Sequence, residues 1–389
     1  MKNQWNQFKL GGILTLEYGK GLPESKRISG DYPVYGSAGI IGYHNEPLIK
    51  GPGIIVGRKG SIGSVFYEKK DFYPIDTVFY VQLKSSDFNL RFVYYLLKQL
   101  NLSELNTDAA VPGLNKRVAQ AQFVNVPDYL TQQKIAAILS AYDDLIENNT
   151  RRIQILEEMA QRIYQKWFVN FRFPGHEKVK FIDSELGKIP EGWKVDHITN
   201  FVNFERGVEP GSNNYEKICT KENIPFIRVG DLGNRSSEIF IKRSLTKDKI
   251  LNKGDIVISM DGTPGIVKIG LFGCYSSGIR KLVIKNELMK RSFLYFLMKS
   301  EHIQSIIKTH SKGTTILHAS ESIENMHFVL PEEKFIEAFD NKVGPTINEF
   351  LLLEEKNKLL RETRDLLLPK LISGELDVSN LDITVKNGI

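Results

Sequence analysis

The chain has 389 residues, of which 41% are hydrophobic and 25% are charged, and its formal net charge is +6. These proportions are typical of a soluble globular protein, and the length predicts two or three domains. No apolar run approaches the roughly 18 residues of a spanning helix, and the polar, aromatic N-terminus differs from a signal peptide, so we expect neither a membrane protein nor a secreted one.

The dominant pattern is a long internal repeat, in which matching segments are separated by 188 to 204 residues. A solenoid would repeat every 20–50 residues or so, so this spacing predicts two similar domains related by a pseudo-two-fold axis. The matching segments are Trp5–Glu17 with Trp193–Glu205, Ile54–Val56 with Ile256–Ile258, and Val126–Pro127 with Leu330–Pro331.

Each copy of the repeat is predicted to be an α+β domain, the first at residues 1–130 and the second, with a preceding linker, at 171–330. Short apolar runs between glycine turns predict strands, and amphipathic runs predict helices. The predicted strands are Ile54–Val56, Val78–Leu83, Ile256–Ser259 and Lys281–Ile284. The predicted helices are Leu90–Leu100 and Ser292–Ser300, followed by the polar loops Asn106–Arg117 and Thr309–Ser320.

Each domain is followed by a segment with an apolar seam, so residues 131–170 predict a central helix, 331–375 a distal helix and 376–389 a C-terminal tail. Alternating steps of four and three are typical of a coiled coil. Pro345 is expected to start or kink the distal helix. The central seam consists of Ile135, Leu139, Tyr142, Ile146, Asn149, Ile153, Leu156, Ala160, Ile163 and Trp167. The distal seam, 204 residues later, consists of Phe339, Val343, Thr346, Phe350, Leu353, Asn357, Leu360, Arg364, Leu367 and Leu371.

The shared register of the two seams favours antiparallel pairing over two helices packed separately on their own domains. Two-fold symmetry requires the antiparallel direction, and pairing centred on the seams places Asn149 opposite Asn357. A facing pair of buried asparagines can specify register at some cost in stability. The same pairing places Tyr142 opposite Arg364, where we expect a cation–π contact.

Positive charge is concentrated in the two domains. The net charge is +4 over residues 1–129 and +6 over 171–330, but zero over 130–170 and −4 over 331–389. Such a bias favours phosphate neutralisation, and a solvated surface is the alternative. Arg and Lys side chains can contact guanine, and Asn can contact adenine. The candidate DNA contacts, which we expect to be exposed in loops, are Arg58, Lys59, Asn115, Lys116, Arg117, Arg228, Arg280, Lys281, Lys312, Thr314 and Thr315.

The sequence shows no motif for catalysis. Gly51–Lys59 departs from the phosphate-loop pattern, and Gly36–Gly42 lacks the dinucleotide-binding spacing. The histidines have no metal-ligand spacing, and we find no nuclease carboxylate cluster, helicase motif or adenine-methylation motif. We therefore expect a non-catalytic chain that holds no cofactor or metal. Cys219 and Cys274 lie far apart, which predicts free thiols and a cytoplasmic protein.

Several segments resemble the specificity subunit of type I restriction–modification systems, and the resemblance extends along essentially the whole chain. Gln132–Ala141 with Ile146–Asn149, and then Lys166–Phe171, resemble the central spacer helix of that family and its exit. Glu185–Trp193 resembles the segment that opens the second target recognition domain. Leu366–Glu375 resembles the end of the distal spacer helix.

This resemblance implies that the two predicted domains are target recognition domains, each recognising one half of a split site in double-stranded DNA. The paired helices would set the spacing and dock two modification subunits, which bind S-adenosylmethionine and methylate adenine N6. Restriction subunits with translocase and nuclease activity, which bind ATP and Mg²⁺, would join for cleavage. This chain would itself be non-catalytic.

The two half-sites are expected to differ. The last recognition-domain loop of the family often has a Pro-x-Leu-Asn pattern, which Pro112–Asn115 matches and Ile316–Ala319 does not. Because the domains share few loop side chains, we expect an asymmetric site. Two domains on one face of a duplex should lie about one helical turn, roughly 34 Å, apart, a spacing that the long helices can set, so we expect an unread gap of about 5–8 base pairs between the half-sites. The alternatives are the specificity subunit of a methylation-only system, a coiled-coil scaffold without a DNA role, and a self-contained nuclease or methyltransferase.

Overall fold

The computed structural model describes residues 5–105, 113–233, 239–313 and 317–383. The chain divides into two compact units: unit 1 consists of Met1–Glu147 and Lys358–Ile389, and unit 2 of Asn148–Asn357. Unit 1 contains the first repeat, called lobe 1, and unit 2 contains the second, called lobe 2. Each unit also contains part of both long helices. Among the described residues, no helix is both long and apolar enough to cross a membrane.

Lobe 1 combines a four-stranded sheet in the order β2-β8-β5-β6, a three-stranded sheet in the order β4-β3-β7, and the pair β1–β9. The strands are β1 (Asn6–Lys9), β2 (Leu14–Tyr18), β3 (Tyr32–Gly36), β4 (Gly39–His44), β5 (Gly53–Gly57), β6 (Val65–Glu68), β7 (Tyr73–Pro74), β8 (Val78–Leu83) and β9 (Phe123–Val126). The helices of unit 1 are α1 (Leu10–Ile13), α2 (Leu90–Gln99), α3 (Lys116–Gln120) and the first part of α4 (Tyr129–Tyr164).

The four-stranded sheet of lobe 1 has β5 as an inner strand. All five of its residues are buried, as expected for a continuous apolar run between turns. Helix α2 follows the sheet, and the Asn89 side chain caps it by accepting a hydrogen bond of 2.9 Å from the Phe92 backbone N–H. Residues Phe92–Leu97 are all buried, so α2 covers the sheet and closes the core of the lobe.

Lobe 2 has four-stranded sheets in the orders β13-β21-β17-β19 and β15-β14-β20-β16, with the pairs β10–β11, β12–β23 and β18–β22. Its strands are β10 (Phe181–Ser184), β11 (Gly187–Pro190), β12 (Lys194–His197), β13 (Val202–Arg206), β14 (Asn223–Ile227), β15 (Phe240–Lys242), β16 (Ile250–Leu251), β17 (Ile256–Ser259), β18 (Asp261–Gly262), β19 (Val267–Lys268), β20 (Gly273–Tyr275), β21 (Ile279–Ile284), β22 (Leu317–His318) and β23 (His327–Leu330). The remaining helices are α5 (Arg291–Met298), α6 (Glu301–Thr309) and α7 (Glu333–Ile372).

The two lobes share one topology, which confirms the predicted α+β repeat. The order β13-β21-β17-β19 reproduces β2-β8-β5-β6, and the pair β12–β23 reproduces β1–β9. In both lobes the second sheet contains one parallel pair, β3 with β7 in the three-stranded sheet of lobe 1 and β14 with β20 in the four-stranded sheet of lobe 2. Lobe 2 adds the β10–β11 hairpin and the pair β18–β22 to this common plan.

Both long helices differ slightly from their predicted ends. Helix α4 starts at Tyr129 and is followed by a π-helical turn, Gln165–Val169. Helix α7 runs without a break from Glu333, so the prediction that Pro345 starts it is wrong. Proline lacks the N–H that would bond the carbonyl of Asn341, but Val343 and Ile347 on either side are fully buried. Packing of these neighbours therefore holds the helix through the proline.

The long helices pair antiparallel, as the seams predict. In unit 2, Asn149 Nδ2 donates to Asn357 Oδ1 at 2.9 Å, and Arg152 contacts Glu349 at 3.4 Å. Residue numbers on one helix therefore rise as those on the other fall.

Seam residues near the helix ends also enter the lobe cores. Ile135, Leu139 and Leu371 belong to the apolar core of lobe 1. Ala160, Phe339 and Phe350 belong to the core of lobe 2. Each seam therefore anchors its lobe as well as the partner helix.

The expected cation–π contact between Tyr142 and Arg364 is replaced by an ion pair. In unit 1, Arg364 Nη1 donates to Asp143 Oδ1 at 2.6 Å, and Arg364 also contacts Asp365. Asp143 in turn accepts a hydrogen bond of 2.5 Å from the Tyr95 hydroxyl of α2. A carboxylate offers a guanidinium stronger hydrogen bonds than a ring face does. Arg364 therefore pairs with the neighbouring acidic residues and not with the Tyr142 ring.

Candidate nucleic-acid interface

In lobe 1 the candidate contacts begin in the tight turn between β5 and β6. A Cβ at Gly57 would lie 2.2 Å from the carbonyl oxygen of Ser61, and one at Gly63 would lie 2.3 Å from the backbone N of Ser103. Gly63 also has a φ of +73°, which favours glycine. The turn is therefore compact, and its glycines let the backbone pack closely behind Arg58 and Lys59.

Arg58 is held on both its backbone and its side chain. Its N–H donates to the Thr77 carbonyl at 3.0 Å, and its own carbonyl accepts from the Leu114 N–H at 2.8 Å. Its guanidinium carbon lies 5.1 Å from the ring centroid of Tyr18 and 5.9 Å from that of Phe79. The Arg58 Nε is buried and has no hydrogen-bond partner within the described residues. Lys59, next to it, is exposed.

The segment after residue 112 is a capped helix, where the sequence predicts a loop. The Asn115 side-chain oxygen accepts hydrogen bonds from the backbone N–H groups of Arg117 (2.9 Å) and Val118 (3.4 Å), which starts helix α3. A bidentate contact with adenine needs that same oxygen, so Asn115 would have to give up the cap to make one. Lys116 Nζ lies 3.2 Å from Glu17 Oε1, and Arg117 is exposed.

In lobe 2 two of the candidate contacts lie on strand β21 and not in a loop. Arg280 is only 6% exposed, which contradicts the expectation of an exposed cation. Its Nη2 donates to Ser320 Oγ at 2.9 Å, and burial lowers the pKa of its guanidinium. Lys281 is half-buried and pairs with Asp255 at 2.7 Å. The long side chains turn inward because polar partners for both exist beside the sheet.

Two other candidates of lobe 2, Arg228 and Lys312, lie at exposed positions. Arg228 Nε contacts Asp231 Oδ2 at 3.2 Å, and Lys312 Nζ contacts Glu321 Oε2 at 2.5 Å. Thr314 and Thr315 lie outside the described residues.

The two lobes therefore differ in how their candidate cations are neutralised. Within the described ranges, Arg58, Lys59 and Arg117 of lobe 1 have no carboxylate within ion-pair distance. In lobe 2, each of the described lysine candidates has a carboxylate partner of its own, as does Arg228. A cation without a carboxylate can bind phosphate directly, whereas a paired one must first exchange its partner.

Several side chains that contact these cations are not indicated by the sequence pattern. Tyr18 and Glu17 end strand β2, and both approach the cations of lobe 1. In lobe 2, His318 Nδ1 lies 2.7 Å from Asp261 Oδ1 across the β18–β22 pair. For Glu17, the sequence does offer one indication: it matches Glu205 at an offset of 188 residues. An acidic residue at the same position in both copies indicates a similar role in each lobe.

The described residues contain no group of three or more His, Cys, Asp or Glu side chains that could hold a metal ion. Both cysteines are free thiols, Cys219 exposed and Cys274 buried. Burial raises the pKa of the Cys274 thiol to about 11, so this thiol stays protonated near neutral pH.

Comparisons with known proteins give one consistent result. The chain matches the model of the type I restriction modification DNA specificity domain twice, over residues 2–158 and 190–342. It is 30% identical over 310 residues to the specificity subunit of the type I restriction enzyme MjaIX of Methanocaldococcus jannaschii, covering 75% of this chain and 70% of that protein. It is 25% identical over 321 residues to the HindI specificity subunit of Haemophilus influenzae, covering 65% of this chain and 69% of that protein.

The fold agrees with these sequence matches. It is similar to the crystal structure of a type I restriction–modification system S subunit from M. genitalium, with a TM-score of 0.61 and 17% identity over 95% of this chain and 96% of that one. The two matches to the family model together cover well over half of the chain. The chain therefore belongs to the family of type I restriction–modification DNA specificity subunits.

Proposed function

We propose that each lobe recognises one half of a split, asymmetric DNA site and that the chain itself catalyses no step. The observation that carries this proposal is that the two lobes share one topology but differ in the side chains that their candidate contacts present. The sheets β2-β8-β5-β6 and β13-β21-β17-β19 have the same order. Among the candidate contacts of the described residues, Arg58, Lys59 and Arg117 of lobe 1 have no carboxylate partner, whereas Arg228, Lys281 and Lys312 of lobe 2 each have one. Two equivalent scaffolds with different contact groups suit two different half-sites.

Binding would combine phosphate contacts with base contacts. Exposed Lys59 and Arg117 suit the phosphate backbone, since a lysine or arginine there releases condensed counterions without sequence preference. Arg58, fixed on its backbone and stacked on rings, suits a base edge in the major groove.

The paired helices would set the spacing of the half-sites and dock two modification subunits. Large apolar side chains are exposed on both helices outside the seam. In unit 1 these are Leu145, Leu359 and Leu366, and in unit 2 Ile155, Met159 and Leu352. Exposed apolar groups on helices whose own seam is already filled would suit a surface that the modification subunits cover. In the assembly, the modification subunits would bind S-adenosylmethionine and methylate adenine N6, and restriction subunits would bind ATP and Mg²⁺.

A methylation map tests the proposal. The chain is co-expressed with its modification subunit in a host free of other adenine methylation, and the genome is sequenced by a single-molecule method that detects N6-methyladenine. We expect one motif with two different half-sites and an unread gap of about 5–8 base pairs. A complex that is shown to assemble but methylates no new motif contradicts the proposal and favours a scaffold without a DNA role.

A further inference from the structure

Three positions near the strand ends of the lobe 1 sheet have exact counterparts in lobe 2. The first position ends β2 or β13 and pairs with the second position, on β8 or β21. The third directly follows β5 or β17. In this order the positions are Tyr18, Phe79 and Arg58 in lobe 1, and Arg206, Arg280 and Met260 in lobe 2. Where lobe 1 has an aromatic residue, at the first two positions, lobe 2 has an arginine. Where lobe 1 has its arginine, at the third position, lobe 2 has a methionine.

In lobe 1 the single guanidinium of this group lies on two rings. Tyr18 is 55% exposed and Phe79 is fully buried, and their centroids lie 5.0 Å apart. Arg58 lies over both rings. A guanidinium held by ring faces keeps its in-plane N–H groups for other acceptors. The Arg58 Nε is buried and has no acceptor within the described residues.

In lobe 2 the exposed guanidinium comes from the strand-end position. Arg206 is exposed, and its Nε donates to the Ser277 carbonyl at 3.3 Å. Arg280 below it is buried and donates to the same carbonyl, and Met260 is fully buried. Each lobe thus presents one accessible guanidinium at the same place in its sheet, but from a different strand end.

We propose that Tyr18 positions the guanidinium of Arg58 for a guanine in the half-site of lobe 1, and that Arg206 supplies the corresponding guanidinium in lobe 2. The inference rests on the proposed DNA-recognition function. Guanine is the expected base because its O6 and N7 accept two hydrogen bonds from one arginine fork. Tyr18 acts through Arg58, since its ring limits the rotamers that the long side chain would otherwise sample. The different strand ends would place the guanine differently in the two half-sites.

The experiment compares methylation maps of complexes that contain the wild-type chain, Tyr18→Phe or Tyr18→Leu. Phenylalanine keeps the ring face that holds a cation, and leucine removes it. We expect Tyr18→Phe to keep the wild-type motif. We expect Tyr18→Leu to raise methylation of sites mismatched at one G·C pair of one half-site by about tenfold or more. The other half-site, recognised by lobe 2, stays unchanged and shows that the complex is folded. Arg206→Met is expected to relax only that other half-site.

Tyr43→Leu is the matched control, because Tyr43 lies on β4 of the same lobe and is 54% exposed. It is expected to leave the motif unchanged. An unchanged motif in Tyr18→Leu, or equal relaxation in Tyr18→Phe and Tyr18→Leu, overturns the positioning role. If Tyr18→Leu abolishes all methylation, the methylation map of the Arg58→Lys complex is used in its place. Loss of base preference at one G·C pair of the motif supports the inference, and an unchanged wild-type motif overturns it. Failure of the proposed function is distinct, since the wild-type complex would then methylate no motif.

Discussion

A buried asparagine of the helix pair bonds to polar groups of the opposite helix. Asn357 is 2% exposed, bonds to Asn149 through its oxygen and donates to Thr150 Oγ1 at 3.3 Å through its nitrogen. A paired amide in an apolar seam contributes little net stability, but an amide that has lost its partner is costly. The asparagine pair therefore specifies which residues face each other more than it stabilises the fold.

A double-mutant cycle on this pair measures that role. We expect Asn357→Leu to destabilise the chain by about 1–3 kcal/mol, because Asn149 is left without its buried partner. Asn149→Leu with Asn357→Leu should recover most of that loss, since two leucines fill the seam without a polar group. Denaturant unfolding monitored by circular dichroism gives the free energies. A double variant no more stable than Asn357→Leu contradicts this account.

The protonation state of Glu157 in α4 makes the free energy of unfolding depend on pH. Burial acts to raise the pKa of Glu157, but hydrogen bonds from Lys299 and Tyr295 outweigh it, so the pKa lies below its ordinary value. The Tyr295 hydroxyl donates to Glu157 at 2.6 Å. A carboxyl whose pKa is depressed by folding stabilises the protein above its unfolded pKa, and that stability is lost as pH falls through the folded value.

We therefore expect Glu157→Gln to destabilise the chain by about 1–2 kcal/mol near neutral pH. The difference from wild type should shrink as the pH falls below the ordinary glutamate pKa of 4.5, and it should disappear once the pH lies below the depressed pKa of folded Glu157, where the wild-type carboxyl is also protonated. Thermal unfolding midpoints at successively lower pH provide the measurement. Glu158→Gln is the matched control, because Glu158 is exposed and contacts only Arg162 at 3.7 Å among the described residues. A pH-independent difference for Glu157→Gln would show that the contact acts by packing.

At the scale of the element, α7 continues through residues that normally end helices. Gly344 and Pro345 lie in its interior, where glycine carries a large conformational entropy and proline removes a hydrogen bond. The helix persists because Val343, Ile347 and Phe350 are buried in the core of lobe 2. Tertiary packing therefore overrides local propensity in this part of the helix.

Gly344→Ala is expected to stabilise the chain by about 0.5–1 kcal/mol, because alanine loses less backbone entropy in a helix. A Cβ at Gly344 has room, since its nearest neighbour would be Asp340 Oδ1 at 3.9 Å. The contrasting variant is Gly270→Ala, where φ is +91° and a Cβ would lie 2.7 Å from Leu351 Cδ2. Gly270→Ala should destabilise in the same denaturant titration. Destabilisation by Gly344→Ala would mean that α7 needs flexibility at this point.

At the scale of the whole molecule, two lobes of one topology are joined by α4 and α7, each of which contributes residues to both units. In the proposed function, lobe loops determine which bases are recognised and helix length determines how far apart they lie. Changes in the lobe loops should therefore leave the half-site spacing unchanged, and changes in helix length should leave the recognised bases unchanged.

Insertion of one heptad into α4 directly after Asn149, with a matching heptad in α7 directly before Asn357, keeps the two asparagines paired and separates these two tasks. Seven helical residues add about 10.5 Å, and B-DNA rises about 3.4 Å per base pair, so we expect the gap to lengthen by up to about three base pairs. Both half-sites should stay the same in the methylation map. The same insertion in the tail after Asp382, which is exposed, should change neither. Altered bases in either half-site would show that the helices take part in base recognition.

Much of this architecture is visible in the chain because it is encoded in local periodicity. Strand β8 begins and ends at the predicted residues, Val78 and Leu83. The repeat and the two seams can be read from the sequence in the same way. A period of two residues shows which face of a strand is buried, and alternating steps of three and four residues show which face of a helix is buried. Pairing of the seams then follows from symmetry, which places Asn149 beside Asn357.

The chemistry of the candidate interface depends instead on partners distant in the chain. Arg280 is buried because it bonds Ser320, 40 residues away, and Lys116 meets Glu17 across 99 residues. Asn115 is the local exception: it has the residue type of a base contact, yet its oxygen caps α3 by accepting from N–H groups only two and three residues further along the chain. The side-chain pattern alone shows which residues can carry charge or donate hydrogen bonds. Only the folded lobe shows which of those groups already have a partner, because a partner such as Ser320 or Glu17 lies far away in the chain.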